Sequence, residues 1–554
     1  MKLKTLLFIA ASALTCTMAK AGQQVARPKL VVGLVIDQMR WDYLYRYMPH
    51  YGEGGFKRLL KQGYSCENTR IPYVPSVTAI GHTCIYTGSV PSIHGIAGNN
   101  FVKNGQKVYC TDDATVRPVG TTSKAGYMSP RNLWVTTIGD ELRMATNDQA
   151  KVVGVALKDR SSILPAGHNP NGAYWFDDAT GGFITSTYYT SKLPAWVKTF
   201  NAQKLTDKYL SAPWNTLLDK NVYTQSTADR TNYEDGIQPG VEATLPLNLP
   251  ALRKQYGYGI LRHTPFGNTI TLDMAKAAIE GEALGTDSVT DLLAVSCSST
   301  DYIGHQVGTN AVEIEDTYLR LDRDIAAFLD YLDQKVGRGE YLIFLSADHG
   351  ASNNALYLTD RRIPAGSWDS DGAKRYLNEA VNAALHTNGN VVSHVMNNQV
   401  FFDRKAIAAQ GLDFDRIKAA AVQRLEQDSA VLYAVDMAKT ATAALPDEVK
   451  FRIINGYNRE RSGDVQIVLK PGFSAHGLRG TDHGAWNPYD THIPLVFMGW
   501  GVTPGASTRQ CYMTDIAPTI AALLHIQAPS GCVGQPIFLA DVWQRRQALA
   551  FSRH

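Results

Sequence analysis

Short apolar runs rich in β-branched residues recur along the chain, each closing on polar residues. They are Lys29–Ile36 before Asp37, Lys151–Leu157 before Lys158, Asp291–Ser296, Tyr341–Leu345 shortly before Asp348, and Pro494–Met498. Near-continuous apolar runs of this length predict strands of a parallel sheet with both faces covered. Between them, Asp273–Leu284 and Val312–Lys335 carry helical periodicity. Strands alternating with helices define an α/β fold with a central, mostly parallel sheet flanked by helices. In such sheets the chemistry collects beyond the carboxyl ends of the strands, so the residue after each run is the one to watch.

The remaining stretches are less regular. Residues from about 165 to 265 are rich in Tyr, Trp, Asn, Gly and Pro, and read as an insertion over one face. Residues from about 370 to 480, with a helix expected over Asp413–Gln427, read as a smaller cap. A single catalytic domain over 22–554 with these insertions is the expected organisation. At the N-terminus, Lys2 and Lys4 precede an apolar run, Leu6–Leu14, and then Ala19-Lys20-Ala21. Basic residues, an apolar core and an A-x-A site predict a signal peptide over 1–21 and hence a periplasmic or secreted protein.

The chain has 554 residues, of which 44% are hydrophobic and 19% charged, with a formal net charge of +3. Removing Lys2, Lys4 and Lys20 with the signal segment leaves 51 basic residues against 51 acidic ones. That balance gives no support to a nucleic-acid coat or a polybasic membrane patch. No later run approaches the length of a membrane span. Six cysteines remain beyond Cys16, and an exported chain permits disulfides among them. Cys511–Cys532 is the expected pair, because Pro529, Gly531 and Gly534 make that stretch turn-rich. There is no CxxC pair to build a thiolate zinc site.

The chemistry gathers after the strands. Asp37 ends the first run; Asp301 and His305 follow the third at i, i+4, a spacing that puts both on one side of a helical turn. Asp348-His349-Gly350 follows the fourth, and Asp482-His483-Gly484 comes late, just before Thr491-His492. Any one of these could merely cap an element. Together they place oxygen and imidazole donors at one sheet edge, a set that suits an open catalytic zinc and is shared with manganese and iron. Six such ligands are the number needed for two metals, a pair that can clamp both ends of an in-line displacement. A hydroxyl at a helix N-terminus is the natural partner for a phosphoryl anion, and Ser76 or Thr78 in Pro75-Ser76-Val77-Thr78-Ala79 meets that description.

These residues, in this order, resemble the alkaline phosphatase superfamily over about 29–500, and in detail the bacterial phosphate-irrepressible alkaline phosphatases that use Thr. The resemblance implies two zinc ions. Asp301, His305 and His483 would hold one, and Asp37, Asp348 and His349 the other, with Thr78 as nucleophile. His492 competes with His483 for the last position, and the Asp-His-Gly context favours His483. Asn99 in Gly98-Asn99-Asn100-Phe101 matches a phosphoryl-binding Asn, and Lys158-Asp159-Arg160 matches the Lys-x-Arg pair of the monoesterase branch. A Lys charge and an Arg fork neutralise the extra oxygen that a monoester dianion exposes. Asn169 and Tyr174-Trp175-Phe176 are candidates for the substrate entrance.

The implied function is a two-zinc phosphomonoesterase acting on small phosphate monoesters through a phospho-threonine. No nucleic-acid partner or membrane span is expected, and a monomer is preferred. The rivals are a nucleotide pyrophosphatase/phosphodiesterase on the same fold and an exported binding protein without turnover. Cys66-Glu67-Asn68-Thr69-Arg70 lacks the Pro of the sulfatase motif, which disfavours that chemistry.

Overall fold

A computed structural model describes residues 26–539, so the expected signal segment lies outside the described residues. The central sheet has ten strands. In chain order they are β1 (Leu30–Ile36), β2 (Gly63–Cys66), β3 (Pro118–Val119), β4 (Val152–Ala156), β5 (Gly172–Asp177), β6 (Gly182–Ser186), β7 (Asp291–Cys297), β8 (Tyr341–Ser346), β13 (Leu495–Gly499) and β14 (Gly505–Ser507), where β9 to β12 belong to a second sheet described below. Across the sheet they lie in the order β14-β2-β13-β8-β1-β7-β4-β5-β6-β3.

The five middle strands, β8-β1-β7-β4-β5, are parallel. Every residue of all five is buried. Successive side chains point to opposite faces, so complete burial means that both faces are covered. The expected strands thus form within a residue or so of their predicted ends. One departs in direction: β13, expected as a parallel strand over Pro494–Met498, pairs antiparallel with β8 and with β2. Strands β5 and β6 fall inside the stretch expected as an insertion over one face, yet they extend the central sheet.

The helices that matter for the site are α1 (Thr78–Thr87), α2 (Asp159–Ala166), α3 (Phe266–Gly281), α4 (Ser299–Val307) and α5 (Val312–Leu332). Helix α3 begins seven residues before the predicted Asp273. Its first turns, Phe266-Gly267-Asn268-Thr269-Ile270-Thr271, are poor helix formers, but Gly267, Asn268, Ile270 and Thr271 are buried, and burial overrides propensity. Helix α5 starts at the predicted Val312 and ends at Leu332, three residues before the predicted Lys335, where a single wider turn over Asp333–Gly337 closes it.

A second, antiparallel sheet carries its own apolar core. Its strands β9 (Val392–Met396), β10 (Gln399–Phe402), β11 (Val431–Asp436) and β12 (Val465–Leu469) lie in the order β9-β10-β12-β11. Helices α6 (Ser370–Leu385) and α7 (Phe414–Glu426) pack on it through Leu377, Val381, Ile417 and Leu425. Asp413 caps α7 by accepting from the Asp415 and Arg416 N–H groups, so this helix sits where the sequence put it.

The disulfide expectation fails. All six cysteines of the described residues are free thiols. Cys511 lies on a short strand paired with Thr69–Arg70, where its Sγ is 3.3 Å from Thr69 Oγ1. Cys532 sits elsewhere, against Gly88 at the end of α1. Turn residues near Cys532 do not bring it to Cys511.

Candidate active site

Because β1, β4, β7 and β8 run in parallel, their carboxyl ends share one edge. Asp37 follows β1, Lys158 follows β4 by two residues, Asp348 follows β8 by two, and α4 carries Asp301 and His305 just after β7. Asp37, Asp348 and His349 are wholly buried, while Thr78, Lys158 and Asp301 expose 1%, 2% and 3%. Three trios of side chains each bring ligand atoms within 4.8 Å of one another: Asp37/Asp348/His349, Asp301/His349/His483 and His305/Asp482/His483. All six sequence-predicted ligands are therefore in one cluster.

The histidines are prepared to act as ligands. Nδ1–H of His305 donates to the Thr481 carbonyl at 2.9 Å, that of His349 to Gly350 at 3.0 Å, and that of His483 to Ser76 at 2.7 Å. A carbonyl only accepts, so each Nδ1 holds a proton, and in the neutral ring Nε2 is the nitrogen left to meet a metal. This is the outer-sphere arrangement that fixes the tautomer of a metal-binding imidazole. His349 Nε2 lies 3.6 Å from Asp37 Oδ1 and 3.4 Å from Asp348 Oδ2; His305 and His483 Nε2 lie 3.2 and 3.7 Å from Asp301 Oδ1. Asp37 Oδ1 and Asp348 Oδ2 are buried without a hydrogen-bond donor, a costly state for carboxylates unless a cation satisfies them. Oxygen and imidazole donors with orphaned oxygens fit divalent metal, zinc included.

The Lys158 ammonium reaches into the cluster. Its Nζ donates to Asp37 Oδ2 at 2.7 Å and to Asp301 Oδ2 at 2.6 Å, and lies 3.5 Å from Thr78 Oγ1. Burial pushes the Asp37 carboxyl well above its usual range and Asp348 adds to this, with Lys158 pulling the other way. Burial also acts on Asp301, but Lys158 and His305 outweigh it and hold that carboxyl well below its usual range. For His305, the Asp301 charge overcomes burial and raises the imidazole to about 9. For His483, burial and the neighbouring His349 and His305 lower it well below the usual value.

Thr78 opens α1, with its Oγ1 3.5 Å from His349 Nε2. The approach of α1 depends on Gly81, where a Cβ would run into the Asp348 backbone. Ser76, the other candidate hydroxyl, is engaged elsewhere and donates to the Ala485 carbonyl at 3.0 Å. Asn99 Oδ1 accepts from the Ala79 N–H at 2.9 Å, which turns its amide group to the start of α1 beside Thr78. Arg160 donates to the Tyr109 hydroxyl at 3.0 Å, and its buried Nε has no partner.

Other expectations are redirected. His492 lies outside the cluster, stacked on Trp41 and bonded to the Glu67 carbonyl at 2.8 Å. Asn169 donates to Asp148 at 2.8 Å, and Tyr174, Trp175 and Phe176 are buried along β5, so none of these walls an entrance. Strand β5 is buried on both faces, which draws that aromatic run into the core. Three contributors were not among the expected site residues. Asp482 joins His305 and His483. Gln38 donates through Nε2 to Asp301 at 2.8 Å and through its backbone to Asp348 at 3.1 Å. His82, wholly buried, donates to the Thr78 carbonyl at 2.9 Å and accepts from Ser296 at 2.8 Å. The Asp-His dipeptide was the available signal for Asp482; Gln38 and His82 had none beyond adjacency.

The sequence profile of the Type I phosphodiesterase / nucleotide pyrophosphatase family matches residues 31–493, and the chain belongs to that family. Alkaline phosphatase PafA of Elizabethkingia meningoseptica is 53% identical over 94% of this chain and 95% of its own length. Its crystal structure superposes with a TM-score of 0.91 over 93% of this chain and 99% of that one. A PafA variant altered at a Thr, an Asn, a Lys and an Arg gives 0.90. A calcium-transporting ATPase of Myroides odoratus is 52% identical, covering 93% of this chain and 95% of its own. Alkaline phosphatase PhoV of Synechococcus elongatus is 50% identical over 97% and 99%.

Proposed function

We propose that this protein is an alkaline phosphatase that hydrolyses phosphate monoesters in the periplasm or outside the cell, after removal of residues 1–21. In our reading, residues 22–554 form one catalytic domain, with insertions at about 165–265 and 370–480, working as a monomer. The observation that carries the proposal is the cluster itself: six candidate ligand side chains, three imidazoles whose Nδ1 each faces a backbone carbonyl, and a Thr hydroxyl among them. Identity of 50–53% to two enzymes named alkaline phosphatases, over nearly the whole chain, supports the same activity.

Two zinc ions, one held by Asp301, His305 and His483 and the other by Asp37, Asp348 and His349, would supply Lewis-acid charge for hydroxyl, water and phosphoryl oxygens. The chain's own residues do the rest. Thr78 Oγ1 forms a bond to phosphorus as the bond to the departing alcohol breaks, and water then cleaves the phospho-threonine to release phosphate. The N-terminus of α1 places backbone N–H groups and the positive dipole end beneath the phosphoryl oxygens. Asn99, pinned to the Ala79 N–H, donates to one of those oxygens. Lys158 and Arg160 neutralise the oxygen that only a monoester leaves unesterified. The Thr, Asn, Lys and Arg altered together in the PafA variant are the same four residue types.

The ATPase name borne by one relative fits this chemistry in its hydrolytic half, since ATP also ends in a phosphoryl dianion. No helix among the described residues is long and apolar enough to cross a membrane. The family name favours a second reading, phosphodiester cleavage at the same site. Rates on p-nitrophenyl phosphate and its bis-ester, with and without chelator and zinc, separate the two. The proposal requires the monoester to be preferred, chelation to abolish turnover and zinc to restore it. A preference for the diester, or full activity in metal-free protein, contradicts it.

A further inference from the structure

Beside Lys158 the site opens into a cleft of about 430 Å³, lined among others by Lys158, Tyr302, His263, Gln238, Ile260 and Arg262. That volume falls within the roughly 300–1,000 Å³ typical of small-molecule sites. Its inner end is tied to the reacting groups. Lys158 Nζ, 3.5 Å from Thr78 Oγ1, lies over the Tyr302 ring at 5.0 Å from the centroid. Tyr302 directly follows Asp301 in α4, and its ring meets that of His263 edge-on at 5.3 Å.

Arg262 builds this wall and is not free to bind an anion. It donates to the Leu157 carbonyl at 2.9 Å, to the Phe176 carbonyl at 3.0 Å and to the Tyr302 hydroxyl at 3.3 Å, and it pairs with Asp178 at 2.7 Å. Two carboxylates also line the cleft, but Asp159 accepts from the Tyr109 and Thr111 hydroxyls and Asp178 is paired with Arg262, so beyond Lys158 the groups left for a ligand are uncharged. The Tyr302 hydroxyl accepts from Arg262 and keeps its own proton to donate. His263 Nδ1 is buried with no partner in the protein. Burial, reinforced by Arg262, lowers that imidazole to about 4, so it is neutral at working pH. Gln238 adds a half-buried amide, and Ile260 a small apolar floor.

We infer that this cleft is the subsite for the alcohol part of the monoester, and that it takes an uncharged, polyhydroxylated alcohol of the sugar class. The inference rests on the phosphomonoesterase reading above. A hydrocarbon or plain aryl group would leave the buried His263 nitrogen and the Tyr302 proton unpaired, and sites built to bond hydroxyls discriminate strongly against partners that lack them. A sugar offers hydroxyls to both, with its carbon face against Ile260.

The test compares a hexose phosphate with methyl phosphate, which has the same phosphoryl group and nothing to fill the cleft. Gln238→Leu and His263→Ala should each lower kcat/KM for the hexose phosphate roughly tenfold, the cost of one substrate hydrogen bond. Methyl phosphate turnover should stay within about twofold, on the same scale. Calorimetry on Thr78→Ala protein, where nothing turns over, should show tighter binding of the hexose phosphate than of methyl phosphate, with the gap closed by Gln238→Leu. Equal losses on both esters, or no loss on either, would overturn the subsite. Wild-type protein inert towards both esters would instead overturn the phosphomonoesterase reading.

Discussion

Asp37 and Asp436 both stand at the carboxyl end of an apolar strand, wholly buried before Asp37 and half-buried before Asp436. Asp37 closes β1 of the central sheet, wholly buried, with one oxygen on Lys158 and the other unpartnered. Asp436 closes β11 of the second sheet and does ordinary work: it accepts from the Ala438 N–H at 3.1 Å and pairs with Lys418 at 2.9 Å. Direction of pairing makes the difference. The middle strands of the central sheet are parallel, so four carboxyl ends meet at one edge and their polar residues are pressed into one cluster. The second sheet is antiparallel, so successive carboxyl ends alternate between edges, and each Asp finds only its own helix to cap. Asp369, Asp403 and Asp413 likewise cap helices there.

Substitutions should therefore separate the two aspartates cleanly. Asp301→Ala removes a candidate ligand shared by Lys158, Gln38 and His305. Its rate loss should exceed the roughly 10–100-fold typical of outer-sphere changes at metal sites, with about one metal lost per chain by elemental analysis. Full metal content and activity would break the contrast. Next in size, Arg160→Ala and Lys158→Ala should each lower monoester kcat/KM by about 30- to 1,000-fold, corresponding to about 2–4 kcal/mol for a charge-assisted contact in a desolvated site. Diester hydrolysis should be nearly unchanged, and proportional losses on both substrates would make these residues structural. Arg160 is the cleaner probe, because Lys158 also neutralises Asp37 and Asp301. Smallest is Asp436→Ala, which should cost about 1 kcal/mol of stability, the usual worth of a cap, and leave kcat/KM unchanged. A loss of activity there would show the two sheets to be coupled.

Much of this was legible because burial on both faces writes long apolar runs, and the residue after each run is set apart by polarity. Asp37, Asp348 and the Asp301/His305 pair could be found that way. Direction was less visible: β13 is as apolar as its parallel neighbours, and only its pairing partners distinguish it. The aromatic run of β5 looked like an exposed wall because Asn, Gly and Pro surround it, whereas sheet extension buries it. The choice between His483 and His492 turned on tertiary contacts, Ser76 for one and Trp41 for the other. Gln38 was unreadable for a similar reason, since its role depends on a left-handed backbone at φ 66° that turns its N–H to Asp348.

The central claim is that Thr78 carries the phosphoryl group during turnover. Acid quenching of the zinc-loaded enzyme while it hydrolyses a phosphate monoester, followed by peptide mass mapping, tests this directly. The adduct should sit on the peptide containing Thr78 and fragment to that residue. It should vanish in Thr78→Ala along with turnover, and remain at the same position in Thr78→Ser. A phosphoryl group on Ser76, or continued turnover by Thr78→Ala, would contradict the account.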